Sequence, residues 1–120
     1  MDLTKTLKAL SHINRIRILN LLNQQELCVC ELENVMDLNQ SNVSRHLSKL
    51  KEADLIIGEK KAQWIYYKIN EKLFNKHIFL KNLVDKELND LLECKNDLDK
   101  LNKYQKSGLS CEDLTSNKSI

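Results

Sequence analysis

Proline is absent from this 120-residue chain and glycine occurs only twice, so little in it obliges a helix to break. No apolar run approaches the roughly 20 residues that span a bilayer. The opening Met1-Asp2-Leu3-Thr4-Lys5 also lacks the basic-then-apolar order of a signal peptide. A cytosolic protein without a membrane segment is expected. No nucleophile stands beside a plausible base and there is no glycine-rich anion loop, which argues against an enzyme and against an organic cofactor. Neither charge sign dominates: 30% of residues are charged, yet the net charge is only +2. The distribution is uneven, with residues 26–37 acidic and residues 38–69 basic, and a basic stretch suits a polyanion.

What is present is helical periodicity. Leu3, Leu7 and Leu10 predict a short first helix ending near Ser11. Ser11 then caps a second, with Ile13, Ile16, Leu19 and Leu22 on one face and Arg15 and Arg17 away from it. Residues 29–37 predict a third helix, with Leu32, Val35 and Met36 inward. Asn39 or Ser41 caps a fourth along Val43, Leu47, Leu50 and Ala53. Joined through Asp37-Leu38-Asn39, these two have helix-turn-helix dimensions.

The period then changes. Residues 55–58 and 64–69 are rich in β-branched and aromatic side chains and flank a polar turn at 59–63, which predicts a β-hairpin. In that position a hairpin is a wing. Asn70 caps a fifth helix running to about Tyr104, with Leu73, Ile78, Leu80, Val84, Leu88, Leu91, Leu98 and Leu101 inward. That stripe is longer than a small winged domain covers, so part of it should meet a second subunit. Beyond it the composition turns to Ser, Asn, Lys and Gly. The expected fold is therefore mainly α with a small β-hairpin: a winged helix-turn-helix over residues 1–104, homodimeric through its terminal helices, then a flexible tail over 105–120.

A recognition helix needs short polar side chains at its N-terminal end and cations nearby for phosphates. Gln40, Ser41, Asn42, Ser44 and Arg45 meet that description, with His46 either at a phosphate or packed between helices. Gln40 and Asn42 suit adenine edges, and Arg45 suits guanine or a phosphate. Lys49, and Lys60, Lys61 and Gln63 of the wing, complete the expected contacts to double-stranded operator DNA.

Taken together, Lys8-Ala9-Leu10-Ser11, Arg15-Ile16-Arg17-Ile18-Leu19, Glu26-Leu27-Cys28-Val29-Cys30-Glu31-Leu32, Ser44-Arg45-His46-Leu47-Ser48-Lys49-Leu50 and Gln63-Trp64-Ile65-Tyr66-Tyr67 are specific in order and spacing. From about Leu7 to Lys72 the chain resembles the ArsR/SmtB family of metal-responsive repressors, and within it the arsenite-responsive branch. The resemblance implies a homodimeric repressor that occupies an inverted-repeat operator when metal-free and releases it when arsenite or antimonite binds. It also brings departures. Family members often carry Asp-Pro where this chain has His12-Ile13, a Gly at the wing tip where it has Ala62, and a third box cysteine where it has Glu33.

Thiolates are soft ligands, so Cys28 and Cys30 suit thiophilic ions. Trivalent arsenic or antimony prefers three sulfurs, whereas zinc, cadmium or lead wants three or four donors. On a regular helix residues i and i+2 diverge by about 200°, so gripping one atom with both sulfurs is expected to unwind the helix start. Glu33, Cys94 and Cys111 are the candidate third donors, along with an exogenous thiol or hydroxide. Cys94 also reads as a small buried apolar residue, and Cys111 as a free thiol in the tail. The alternatives on the same fold are a cadmium, lead or zinc sensor and a thiol redox switch.

Overall fold

The computed structural model describes residues 1–118, and side chains as far as Thr115. Helices α1 (Leu3–Leu10) and α2 (Ile13–Gln24) lead into a two-residue strand, β1 (Leu27–Cys28). Strand passes to helix with no intervening loop, because α3 (Val29–Met36) begins at the next residue. Then come α4 (Gln40–Glu52) and the hairpin β2 (Ile56–Lys61) and β3 (Trp64–Ile69). β3 lies between β1 and β2 in an antiparallel three-stranded sheet, with Cys28 opposite Tyr66 and Gly58 opposite Tyr67. The core gathers Ile18, Leu19 and Leu21 of α2 with Leu32, Val43, Leu50, Leu55 and Ile56, all essentially inaccessible to solvent. This is the expected winged helix-turn-helix.

Local signals explain the boundaries. Ser11 does not cap α2; its hydroxyl donates to the Lys8 carbonyl and closes α1. His12 is the cap instead, its Nδ1 accepting from the Asn14 amide at 3.2 Å, so an imidazole serves where the family often has aspartate. Asn39 caps α4 by accepting from the Asn42 amide at 2.9 Å. Asp37 makes the helix-to-helix turn in the left-handed region at φ 54, a conformation short polar side chains tolerate. Ala62 also sits there, at φ 57, which accounts for the family's preference for glycine at the wing tip. Gly58 fits closely for a different reason: a Cβ on it would lie 3.2 Å from both Ile65 and the Tyr67 ring, so those side chains would have to give way.

The single fifth helix is not found. The segment forms α5 (Glu71–Lys76), α6 (Ile78–Asp85), a 3₁₀ turn (Glu87–Asp90) and α7 (Leu92–Ser107). The breaks fall at His77, Lys86 and Leu91, among His, Asn and Asp residues of modest helix propensity. Asn89 reinforces one of them by donating its side-chain amide to the Asp85 carbonyl at 2.8 Å. The expected tail differs too. α7 runs past Tyr104, Gly108 ends it at φ 74, and an eighth helix, α8 (Cys111–Lys118), follows and places Cys111 and Leu114 in buried positions.

One ion pair ties the helical framework together. Arg17, expected on an outer face, turns inward from α2 and grips the Asp97 carboxylate of α7 through Nε and Nη2, both at 2.9 Å. Nη2 also donates to the Met36 carbonyl at the end of α3, and Nη1 to Asn14. Asp97 is 1% exposed, and a buried carboxylate stripped of its partner costs several kcal/mol. Arg17→Ala is therefore expected to lower unfolding free energy by about 3 kcal/mol in urea titrations. A loss below about 1 kcal/mol would mean that Asp97 is stabilised by something other than this pair.

Candidate metal centre and nucleic-acid interface

The thiol site is built by the abrupt passage from β1 to α3. Cys28 is the last strand residue and the N-cap of α3, with extended backbone (φ −91, ψ 172), whereas Cys30 already lies in the first helical turn. The 200° divergence expected between them does not apply, because only one of the two is helical. Their sulfurs are 3.1 Å apart with the backbone intact. The expectation that the helix start must unwind is thus corrected: the strand-to-helix switch presents both sulfurs to one side.

Glu31 holds this arrangement. Its carboxylate is buried and accepts from the Cys28 amide at 3.1 Å, the return half of a capping box with cysteine in the serine position. The Tyr104 hydroxyl of α7 donates to the other carboxylate oxygen. Sequence reasoning passed over Glu31, although Cys28-x-x-Glu31 carries the capping-box spacing. Tyr104 left no comparable signal.

The third sulfur comes from α8. Cys28, Cys30 and Cys111 are all buried, and their sulfurs lie within 4.8 Å of one another. It is the one such group of three metal-ligating side chains among the described residues. Cys28 and Cys111 are in sulfur-to-sulfur contact and paired as a disulfide across a Cα–Cα separation of 7.2 Å. Backbones more than about 7 Å apart exceed what a disulfide spans without backbone movement. The geometry therefore resembles thiols gathered about a common point more than a structural bridge. Burial, and then the Glu31 charge, push the Cys30 thiol up, so capturing an electrophile there releases a proton. Cys94 is elsewhere: it is fully buried on α7, burial and then Asp97 push its thiol up to about 11, and its carbonyl accepts from Asn20. Its apolar packing reading fits, and it does not join the cluster.

Beside the sulfurs opens a cleft of about 460 Å³, walled by Val29, Glu33, Trp64, Ile65 and Tyr67. Gln40, the first residue of α4, and Gln63, in the wing turn, also line it. The cysteines thus face the two ends of the surface expected to read DNA.

Gln40, Ser41, Ser44, Arg45 and Lys49 are exposed on α4, and Asn42 is half-buried. Arg45 donates to the Asn42 side chain at 2.9 Å, which orients both. Ser48 shares the exposed face and was missed. Lys60 and Gln63 are exposed on the wing. Lys61 is exposed but turns back to pair with Glu26 and lies over the Tyr66 ring at 5.8 Å. His46 is a correction. It is 2% exposed on the inner face of α4, accepts from Arg15 Nε at 3.3 Å and packs on the His12 ring, so it cannot reach a phosphate.

Residues 13–57 match the model of the bacterial regulatory protein, arsR family. A cadmium resistance transcriptional regulatory protein CadC homolog of Staphylococcus aureus is 33% identical over 72% of this chain and 67% of its own length. The chain belongs to the ArsR family. Among other relatives of this ArsR-family chain, the arsenic resistance transcriptional regulator ArsR1 of Pseudomonas putida is 39% identical over 55% of it. The match spans about half of that relative, 52% of its length. A solved structure from Mycobacterium bovis, titled as a homodimeric winged helix-turn-helix DNA-binding domain, is 25% identical. It covers 75% of this chain and 84% of its own, with a TM-score of 0.60.

His46 yields a pH test. Burial, and then the neighbouring His12, Arg15 and Arg45, hold its imidazole down at about 4, against 6.5 when free. Between those values the unfolded chain binds the extra proton. The contribution is therefore complete above pH 6.5 and is lost as pH falls toward 4, by about 2–3 kcal/mol. His46→Gln should flatten the stability profile across that window in urea unfolding, and an unchanged slope would refute the assignment.

Proposed function

We propose that this ArsR-family chain is a DNA-binding transcriptional repressor, not an enzyme, released from its operator when arsenite or antimonite is captured by cysteine sulfurs that include Cys28 and Cys30. The observation that carries this reading is the position of the sulfurs. Cys28 is hydrogen-bonded neighbour to the wing strand through its register with Tyr66. Cys30 is on α3, which packs against α4, and both sulfurs border the cleft lined by Gln40 and Gln63. A trivalent metalloid supplies an electrophilic centre that prefers sulfur donors. The chain supplies the levers: drawing on Cys28 acts on β3, and drawing on Cys30 acts on the base of α4. Either motion changes the spacing between recognition helix and wing, which must together match groove and backbone.

Homodimerisation belongs to the same proposal. Leu3, Leu7, Ile78 and Phe79 are large exposed apolar residues. A groove of about 480 Å³ between α1 and α6 is lined by Leu7, Leu10, Ile16, Phe79 and Leu83. Apolar surface of this kind marks a partner, and the M. bovis relative is titled as a homodimer. Two-fold pairing of α4 predicts an inverted-repeat site with half-sites about one helical turn apart.

Cadmium is the second reading, favoured by the CadC relative and by a donor set made of sulfur alone. The two are separated by titrating each ion against DNA occupancy.

The test uses a promoter fragment selected by the wild-type protein and anisotropy under a phosphine reductant, so that thiol oxidation cannot imitate release. Cys28→Ser and Cys30→Ser should bind the fragment as wild type does yet stay bound when arsenite is added. Arg45→Ala should weaken binding about tenfold and reduce the salt dependence. Wild-type release by either cysteine variant would overturn the proposal.

A further inference from the structure

Two sulfurs on one strand-to-helix junction leave a trivalent metalloid one donor short. The candidates for that donor are now distinguishable. Cys94 is packed between α2 and α7, away from the cluster. Glu33 borders the cleft, but a carboxylate is a hard donor and a poor match for a soft centre. Cys111 is 1% exposed, its sulfur is in contact with that of Cys28, and its carbonyl accepts from the Cys30 thiol at 3.8 Å.

We propose that Cys111, delivered by α8, is the third sulfur donor, completing with Cys28 and Cys30 a three-coordinate site that favours trivalent arsenic or antimony over ions that require four donors. This rests on the reading of the cysteines as an inducer site and adds the donor that sets its selectivity.

How α8 is mounted supports the assignment. Gly108 stands in open space in a left-handed conformation and Leu109 after it is exposed, so the link from α7 to α8 lies outside the core. Ser110 and Asp113 then fold the start of α8 by a reciprocal cap, the Ser110 amide donating to Asp113 at 2.9 Å and the Asp113 amide to Ser110 at 3.4 Å. The helix is thus locally defined, and Cys111 at its start joins it to Cys28 and Cys30. Among its described side chains only Cys111 and Leu114 are buried. A bond from Cys111 to a captured atom adds to the burial of Cys111 and Leu114 that already seats α8.

From three reduced thiols the exchange needs no redox partner; the Cys28–Cys111 pair is first opened by two electrons from a thiol reductant. Arsenous acid exchanges its three hydroxyls for three sulfur–arsenic bonds, each thiol proton leaving with one hydroxide as water. Arsenic stays trivalent throughout.

The proposal is tested on the full chain with two probes, arsenite and phenylarsine oxide; in the second a carbon already occupies one position on arsenic, so only two sulfurs can bind. Sulfur-to-arsenic absorption gives affinity, and X-ray absorption counts sulfurs per arsenic. Wild type should show three sulfurs with arsenite and two with phenylarsine oxide. Cys111→Ser should drop to two with arsenite and lose about a hundredfold in affinity, the gain a third tethered donor provides, while holding phenylarsine oxide as before. Cys94→Ser should match wild type with both probes. Three sulfurs retained in Cys111→Ser, or lost in Cys94→Ser, would overturn this proposal and leave the inducer-site reading standing. If Cys28→Ser also bound arsenite as wild type does, both would fall.

Discussion

One local constraint underlies the rest of the molecule: at Cys28 the chain stops being strand and starts being helix within a single residue. A longer connection would let β1 and α3 move independently, and the sulfurs of Cys28 and Cys30 would have no fixed relation. The capping bond from the Cys28 amide to Glu31 fixes that junction, and the Tyr104 hydroxyl secures Glu31 from the far side. Because Cys28 is also paired with Tyr66, the same residue belongs to the wing sheet and the sulfur cluster and caps the first helix of the helix-turn-helix. No separate pathway has to be invoked between ligand and DNA reader. Coupling of this kind is reciprocal, so whatever DNA does to the spacing of wing and α4 must be felt at the sulfurs.

Around that junction the framework is stiff where it must be. Arg17 and Asp97 clamp α2, α7 and the end of α3, so a displacement at the start of α3 cannot be absorbed by its far end sliding. The inward His46, neutral beside two cations and His12, holds α4 against α1 and α2 and leaves its outer face to Gln40, Ser41, Ser44 and Arg45. The third sulfur is brought to it by α8.

Much of this was legible from residues alone. Apolar spacing located α1 to α4, and the change of period at Leu55 located the wing, because each element buries one face and so displays its period. Ser44 and Arg45 fell on the exposed face for the same reason. What failed was whatever depends on partners distant in sequence. Arg17 looked like a surface cation because Asp97 is 80 residues away. His46 could be placed on either face, and the pocket formed by Arg15 and His12 decided it. The helix over 70–104 breaks at three places, at one of which the Asn89 side chain takes the Asp85 carbonyl, which apolar spacing does not reveal. Cys111 looked like a tail thiol since Leu114 is the only large apolar residue that α8 packs inward. The divergence assigned to Cys28 and Cys30 was sound for a helix, but one of them is not in it.

The most direct test of the central claim is amide hydrogen exchange on the reduced, DNA-free protein with and without arsenite. The account predicts altered protection together in residues 64–69, in the first turns of α3 and α4, and in α8, with residues 78–90 unchanged. Altered exchange confined to the cysteine peptides, with the wing strand and the start of α4 indifferent to the metalloid, would contradict it.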